Sequence, residues 1–379
     1  MRVYLDHNAT SPLRPAARRA LDEALAQSAN PSSVHREGQR ARAVVETARE
    51  GFAAGIGAAP GEVAFVSGGT EACNLAIAGV VSGLGVGRIV VSAIEHPAVL
   101  EPARAAGVTL EVAPVTRAGL VDLEALSRIL ATGEGAATLV CVMAANNETG
   151  AVQPVGDVAA LARAHGAIMF CDAAQALGRM PFDVSQLGVD LAAFAGHKLG
   201  AAQGVGALYV RSGLVLAPLV HGGGQERGLR GGTENVAPIA SLAAAFDEAA
   251  GSLADETQRL AGLRDHLEER VRDATPEACV IAGEAPRLAN TSAIALPGAR
   301  AETLVIALDL EGIAVSAGSA CSSGKVGASH VMAAMGVEPG IGRAAIRVSL
   351  GWNTGAADID AFARAWARAA PRVERRAAA

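Results

Sequence analysis

Between residues 63 and 210 the chain alternates short, almost wholly apolar runs with stretches of helical periodicity, and few folds accept that pattern. The runs at 63–66, 88–92, 108–112, 138–143, 167–171, 191–195 and 205–210 are dense in Val, Ile, Leu and Ala instead of alternating apolar with polar. Strands of that kind are buried on both faces, and the helical patterns at 70–81, 122–130 and 155–164 supply the covering layers. The expectation is an α/β domain on a mostly parallel seven-stranded sheet. Because 51% of the residues are hydrophobic and only 3% aromatic, small aliphatic side chains must fill its core.

A chain of 379 residues exceeds what one core sustains, since single cores stop growing at roughly 250–300 residues. Beyond a long helical pattern at 236–272, the apolar runs 280–282, 291–296, 313–315 and 345–350 mix with helical patterns at 301–310, 330–335 and 357–369. This suits a smaller α+β domain. The division read from the sequence is an N-terminal segment, 1–15, associated with the small domain, a large domain over 16–250, and a small C-terminal domain over 251–379. Two amphipathic helices, 12–27 and 39–54, precede the alternating region around the turn-rich loop 30–35, and the chain is expected to fray from Pro371 on.

A net charge of −6 with a pI near 5.8 gives no footprint for nucleic acid. The opening residues Asp6, His7 and Asn8 break what an export signal would need, and no apolar run reaches the ~20 residues of a membrane helix. The five cysteines lack any Cys-x-x-Cys pair, so neither a zinc site nor a disulfide framework is expected. A reducing cytoplasm fits this usage. Cys73, Cys141, Cys171 and Cys279 fall in apolar surroundings, whereas Cys321 falls in the Gly/Ser-rich stretch 316–325, where a thiol is expected to be accessible.

In open α/β sheets ligands bind beyond the carboxyl ends of the strands. Five strand ends here carry polar residues: Ser67-Gly68-Gly69-Thr70, Glu95-His96, Asn146-Asn147-Glu148, Asp172-Ala173-Ala174-Gln175 and Gly196-His197-Lys198. Taken singly, each is an ordinary turn, cap or surface group. Together they offer a glycine turn at a helix start for a phosphate, a ring-level histidine, a carboxylate suited to a pyridinium nitrogen, and a lysine able to act covalently. Those are the parts of a pyridoxal phosphate site.

The chain resembles the cysteine desulfurases of the NifS/IscS type, in the class V aminotransferase group of fold-type-I pyridoxal phosphate enzymes. The resemblance runs through the strand-end motifs and through Tyr4-Leu5-Asp6-His7-Asn8, Asn30-Pro31-Ser32-Ser33, Arg230-Gly231-Gly232-Thr233-Glu234, Gly318-Ser319-Ala320-Cys321 and Ile346-Arg347-Val348. It implies that Lys198 bonds pyridoxal 5'-phosphate and moves the proton at the substrate Cα. It implies that His96 stacks on the ring and serves in acid–base steps, that Asp172 pairs with the ring nitrogen, and that Gln175 and Asn147 contact ring or substrate. Gly69, Thr70 and His197 would hold the phosphate, joined by Thr233 of a second copy in a homodimer with shared active sites. Arg347 would clamp the carboxylate of L-cysteine, and Cys321 would take its sulfur as a persulfide, leaving alanine. Sulfur would pass to an acceptor protein such as an iron–sulfur scaffold, for cluster or other thio-cofactor synthesis. No intrinsic metal is implied, although Cys321 could transiently ligate a cluster on a partner.

Two departures stand out. Ala195 occupies the place of a serine that in this family donates to the phosphate, and Ala201-Ala202-Gln203-Gly204 replaces the usual Gly-Pro-Lys-Gly. The competing expectations are a selenocysteine lyase or cysteine sulfinate desulfinase, a class V transaminase, and a non-catalytic cofactor-binding subunit.

Overall fold

The computed structural model describes residues 2–27, 29–133, 137–318 and 329–377. Its strands are β1 (Val3–Tyr4), β2 (Val63–Val66), β3 (Arg88–Ser92), β4 (Thr109–Ala113), β5 (Thr138–Cys141), β6 (Ile168–Asp172), β7 (Leu191–Ala195), β8 (Gly206–Val210), β9 (Cys279–Ile281), β10 (Thr291–Ala295), β11 (Ile313–Ala314), β12 (Ser316–Ala317) and β13 (Ala345–Ser349). The large sheet runs β2-β8-β7-β6-β5-β3-β4. Strands β7, β6, β5, β3 and β4 are mutually parallel, and β8 alone runs antiparallel to both of its neighbours. The ends of β2, β3, β5, β6 and β7 therefore open on one edge. Every residue of β3, β5 and β7 is buried; β7 is wholly apolar, and in β3 and β5 the polar residues, Arg88, Ser92 and Thr138, stand at the strand ends.

Both faces are covered. On one, Phe52 of the helix Arg36–Gly55 sits at 0% exposure with its ring centroid 5.4 Å from Phe194 of β7 and 5.2 Å from Phe246 of the helix Val236–Gly251. On the other, the helix Gly69–Leu84 lays Leu75, Ile77 and Val80 against Ile89, Val91 and Leu191. Small aliphatics fill the remainder, and aromatic rings sit where helices and strands cross.

The smaller sheet, β12-β13-β10-β9, is antiparallel throughout. Trp366 of the helix Ala356–Ala377 is fully buried over it and donates its indole N–H to the Thr275 hydroxyl at 3.0 Å. The N-terminal segment pairs β1 in parallel with β11. It also reaches the large sheet, where Ser11 N donates to His197 O at 2.9 Å and Arg14 N to Gly200 O at 2.9 Å. Among the described residues no helix is long and apolar enough to cross a membrane.

Three local expectations are corrected. The helical pattern 236–272 is two helices, Val236–Gly251 and Leu253–Ala274, because Gly251 is followed by Ser252, whose Oγ turns back to the Glu248 carbonyl at 3.0 Å. The expected run 313–315 gives only β11, which ends at Ala314, and a second strand, β12, begins at Ser316 and joins a different sheet. The expected fraying from Pro371 is replaced by helix continuing to Ala377, held by the burial of Ala370 and Val373 on either side of the proline.

Phe52→Ala would open a void beneath four elements and should cost roughly 3–5 kcal/mol. Urea unfolding followed by fluorescence and far-UV dichroism checks this; a loss under about 1 kcal/mol would show that the surrounding rings do not form the keystone of this face.

Candidate active site

A cleft of about 600 Å³ opens at the shared strand edge. Each wall comes from one strand end. After β2, residues Ser67 to Thr70 enter it where the helix Gly69–Leu84 begins, so free backbone N–H groups and the positive end of the helix face the cavity. The packing at Gly69 is close, since a Cβ on it would lie 3.0 Å from the Ala195 Cβ. Ala195 itself lines the cleft and offers no hydroxyl.

After β7 the chain makes a four-residue turn of helix, Gly196–Leu199, which closes on Gly200 at φ 97. Glycine is required at that left-handed position, where a Cβ would also press on Pro12 O at 2.9 Å. The turn presents His197 and Lys198. Lys198 Nζ donates to the carbonyls of Asn8 at 2.6 Å and Ala9 at 2.7 Å. His197 Nδ1 lies 3.2 Å from the Thr10 hydroxyl, and burial, with Lys198 and Arg179 nearby, pushes its pKa down to about 4. The imidazole is neutral at pH 7; in the tautomer whose Nδ1 accepts from Thr10, its Nε2–H is left to donate.

The last residue of β6 is Asp172, 7% exposed, whose Oδ1 accepts from Ala174 N at 3.0 Å. Burial raises its pKa, while His96 and Lys198 oppose that rise. After β3, His96 caps the helix Pro97–Ala105, its Nδ1 accepting from Ala98 N at 3.1 Å. That bond fixes the tautomer with the proton on Nε2, and burial lowers the pKa, so this ring too is neutral. Asn147 follows β5, and its carbonyl accepts from Arg347 Nη1 at 3.0 Å and Asn8 Nδ2 at 3.2 Å.

Gly69, Thr70, His96, Asn147, Asp172, Gln175, His197 and Lys198 all line this cleft. Two expected site residues do not. Thr233 is exposed and borders a separate cavity of about 440 Å³ that shares Ser67, Gly204 and Val205 with the first. Arg347 is 1% exposed behind the wall, its Nη2 paired with Asp6 Oδ1 at 2.8 Å and its Nε left without a partner. Cys321 lies outside the described residues.

Sequence reasoning passed over residues whose roles depend on distant chain. Asn8 supplies the carbonyl that holds Lys198 and a side chain that reaches Thr291 at 2.9 Å. Arg179 donates to the carbonyls of His7 at 3.0 Å and Lys198 at 2.9 Å, and also to Gln175 Oε1. Glu95 is fully buried beside His96, with Oε1 receiving Ser92 Oγ at 2.5 Å and Met143 N at 2.8 Å, and Oε2 unpartnered. Adjacency to His96, Gln175 and the opening Asp6-His7-Asn8 was the sequence signal for each.

A flat cofactor with a phosphate at one end fits this donor set. The helix start and a His197 N–H suit an anion, Asp172 is a buried carboxyl suited to a cationic N–H, and the Lys198 amine lines the same cleft.

The family model for Aminotransferase class-V matches residues 3–362. An IscS-like cysteine desulfurase of Mycobacterium tuberculosis is 39% identical, with 100% of this chain and 98% of that one covered. Cysteine desulfurase IscS of Dictyoglomus turgidum is 38% identical over 94% of this chain and 92% of its own. Among solved structures, a NifS-like protein from Rickettsia africae superposes with a TM-score of 0.90 at 32% identity, covering 97% and 99% of the two chains. SspA in complex with cysteine superposes at 0.80 with 29% identity, covering 92% and 98%.

Burial drives the Glu95 pKa up to about 8, with Asp172 adding to the rise. A carboxyl raised in the folded state is favoured in its protonated form, so its contribution to stability is present at low pH and declines between the unfolded value of 4.5 and about 8. The decline is on the order of 5 kcal/mol. Glu95→Gln removes it: the melting temperature of the wild type should fall more steeply from pH 5 to pH 8 than that of the variant. Parallel slopes would show that Glu95 is ionised in the folded protein.

Proposed function

Because the chain belongs to the aminotransferase class-V family, among its cysteine desulfurases, we propose that the cleft around Lys198 activates L-cysteine and that Cys321 takes the sulfur. The enzyme converts L-cysteine to L-alanine. The observation that carries the assignment of residues is the convergence of Lys198, Asp172 and His96 on one cleft from three parallel strand ends.

Pyridoxal 5'-phosphate, held there, supplies an electron sink for the pair left at the substrate Cα when its proton departs. Gly69 and Thr70, through backbone N–H groups, and His197, through Nε2–H, are the phosphate holders. Ala195 contributes no hydrogen bond where a hydroxyl would. Asp172 would hold the ring nitrogen and keep its proton on; His96, neutral and capping its helix, would stack on the ring. Lys198 is the point of covalent attachment. Freed from the carbonyls of Asn8 and Ala9, its Nζ takes the Cα proton and later returns one. Asn147 and Gln175 orient the ring and substrate from the β5 and β6 ends, and Arg347, whose Nε has no partner, is the cation for the substrate carboxylate.

Sulfur transfer is a displacement at sulfur. The Cys321 thiolate forms an S–S bond, the substrate Cβ–S bond breaks, and the pair left on carbon takes up a proton to give alanine. No external oxidant is needed, and Cys321 ends as a persulfide that a thiol acceptor, such as an iron–sulfur scaffold protein, can receive. A persulfide intermediate fits the cytoplasm, where thiols stay reduced.

A homodimer would complete the phosphate end. Thr233 is exposed beside the cleft, and Val215, Leu219 and Val220 form an exposed apolar group suited to burial against a second copy.

Lys198→Ala should abolish alanine formation from L-cysteine, by about 10³-fold or more, and remove the lysine-dependent visible absorbance of the purified protein. Retention of either would remove Lys198 from its role.

A further inference from the structure

The turn 146–150 does more than place Asn147. Its next residue, Glu148, is 5% exposed and turns away from the cleft. The carboxylate Oε2 accepts from Ser329 Oγ at 2.6 Å, and the same oxygen lies 3.1 Å from where a Cβ on Gly318 would stand. Gly318 and Ser329 are the residues on either side of 319–328, the stretch that includes Cys321. One buried oxygen thus bonds one of these residues and lies close beside the other.

Each stem has its own fixings. Gly318 N donates to Ala345 O at 3.2 Å, at the start of β13, the strand that carries Arg347. Ser329 caps the helix His330–Ala334, accepting from Met332 N at 3.2 Å, and His330 Nε2 lies 2.9 Å from the carbonyl of Glu95, next to His96. The turn is also rigid. Asn146 Oδ1 accepts from Glu148 N at 2.9 Å and from Thr149 N at 3.0 Å. Burying a carboxylate that serves only to join two loop ends is costly, and a hydrophobic contact would close the same gap without that cost. What a carboxylate adds is direction: a short hydrogen bond fixes Ser329 relative to a turn whose other face is the cleft wall.

We propose that Glu148 is a positioning residue for sulfur transfer, holding the two stems of the Cys321 segment in register with the turn that carries Asn147. This rests on Cys321 being the sulfur acceptor. Asn147 and Gln175 line the cleft on the other face of the turn, and Arg347 keeps its own bonds to Asn147 O and Asp6, so the effect falls on delivery of sulfur and not on capture of cysteine.

The test uses the holoenzyme, with Glu148→Ala, Glu148→Gln, Ser329→Ala and, for the acceptor itself, Cys321→Ala. Alanine formation is measured against L-cysteine concentration. Separately, without cysteine, the rate at which iodoacetamide alkylates Cys321 is followed by peptide mass spectrometry, with Cys279 in the same protein as reference. Glu148→Ala and Ser329→Ala should lower kcat about tenfold or more, leave KM within about twofold, and change the Cys321-to-Cys279 alkylation ratio about threefold or more. Glu148→Gln, which still offers an oxygen to Ser329, should stay within about threefold of wild type in kcat. The proposal is overturned if Ser329→Ala matches wild type in both readouts, if KM rises in step with the loss of kcat, or if Glu148→Gln is as impaired as Glu148→Ala. If Cys321→Ala makes alanine at the wild-type rate, it is the acceptor assignment that fails, whereas the alkylation ratio still decides whether Glu148 sets the stems.

Discussion

Two hydrogen bonds, from Lys198 Nζ to the carbonyls of Asn8 and Ala9, join the parts of this molecule at its reactive centre. The opening segment that supplies those carbonyls belongs to no single layer. Its β1 strand extends β11, Asp6 pairs with Arg347 on the small sheet, and Arg14 reaches the Leu199 carbonyl and Glu256. A carbonyl is a neutral acceptor, so these two bonds aim the amine, while the Asp172 carboxyl interacts with it electrostatically across the cleft. The large sheet brings the lysine, and the N-terminal segment aims it.

The electrostatics of the cleft follow from burial. His96, His197 and His7 all have lowered pKa values because desolvation disfavours their cations, and His7, at about 3, is the extreme case. At His96 the Ala98 N–H fixes the tautomer and leaves the Nε2–H to offer, whereas His197 and His7 face hydroxyls that can take either part. The acids move the other way. Glu95 and Glu148 are raised to about 8 and about 7 by the same desolvation, and Asp172 is raised as well, though His96 and Lys198 pull against it. A cationic ring nitrogen beside Asp172 would restore it to the carboxylate form.

The large sheet was legible because its strands are buried on both faces, and unbroken runs such as Leu191 to Ala195 have few other uses. Site residues at the strand ends were legible for the related reason that a parallel sheet gathers such ends on one edge, and His96, Asp172 and Lys198 duly share one cleft. Other features were hidden. The break at Ser252 depends on one side chain turning back on the Glu248 carbonyl. Asn8 acts partly through a backbone oxygen across 190 residues of chain, which no side-chain pattern reports. Glu148 and Glu95 read as ordinary turn residues until the chain folds over them. Arg347 and Thr233 carry recognisable motifs, yet a motif does not say whether a guanidinium stands in a cleft or behind its wall.

The division between Lys198, which moves protons, and Cys321, which takes sulfur, is tested most directly by a single turnover with sulfur-labelled L-cysteine, quenched and digested for mass spectrometry. One labelled persulfide sulfur on the Cys321 peptide for each alanine released is the expected result. Alanine released with the label on Cys73 or Cys279, or with no label on the protein, would contradict it.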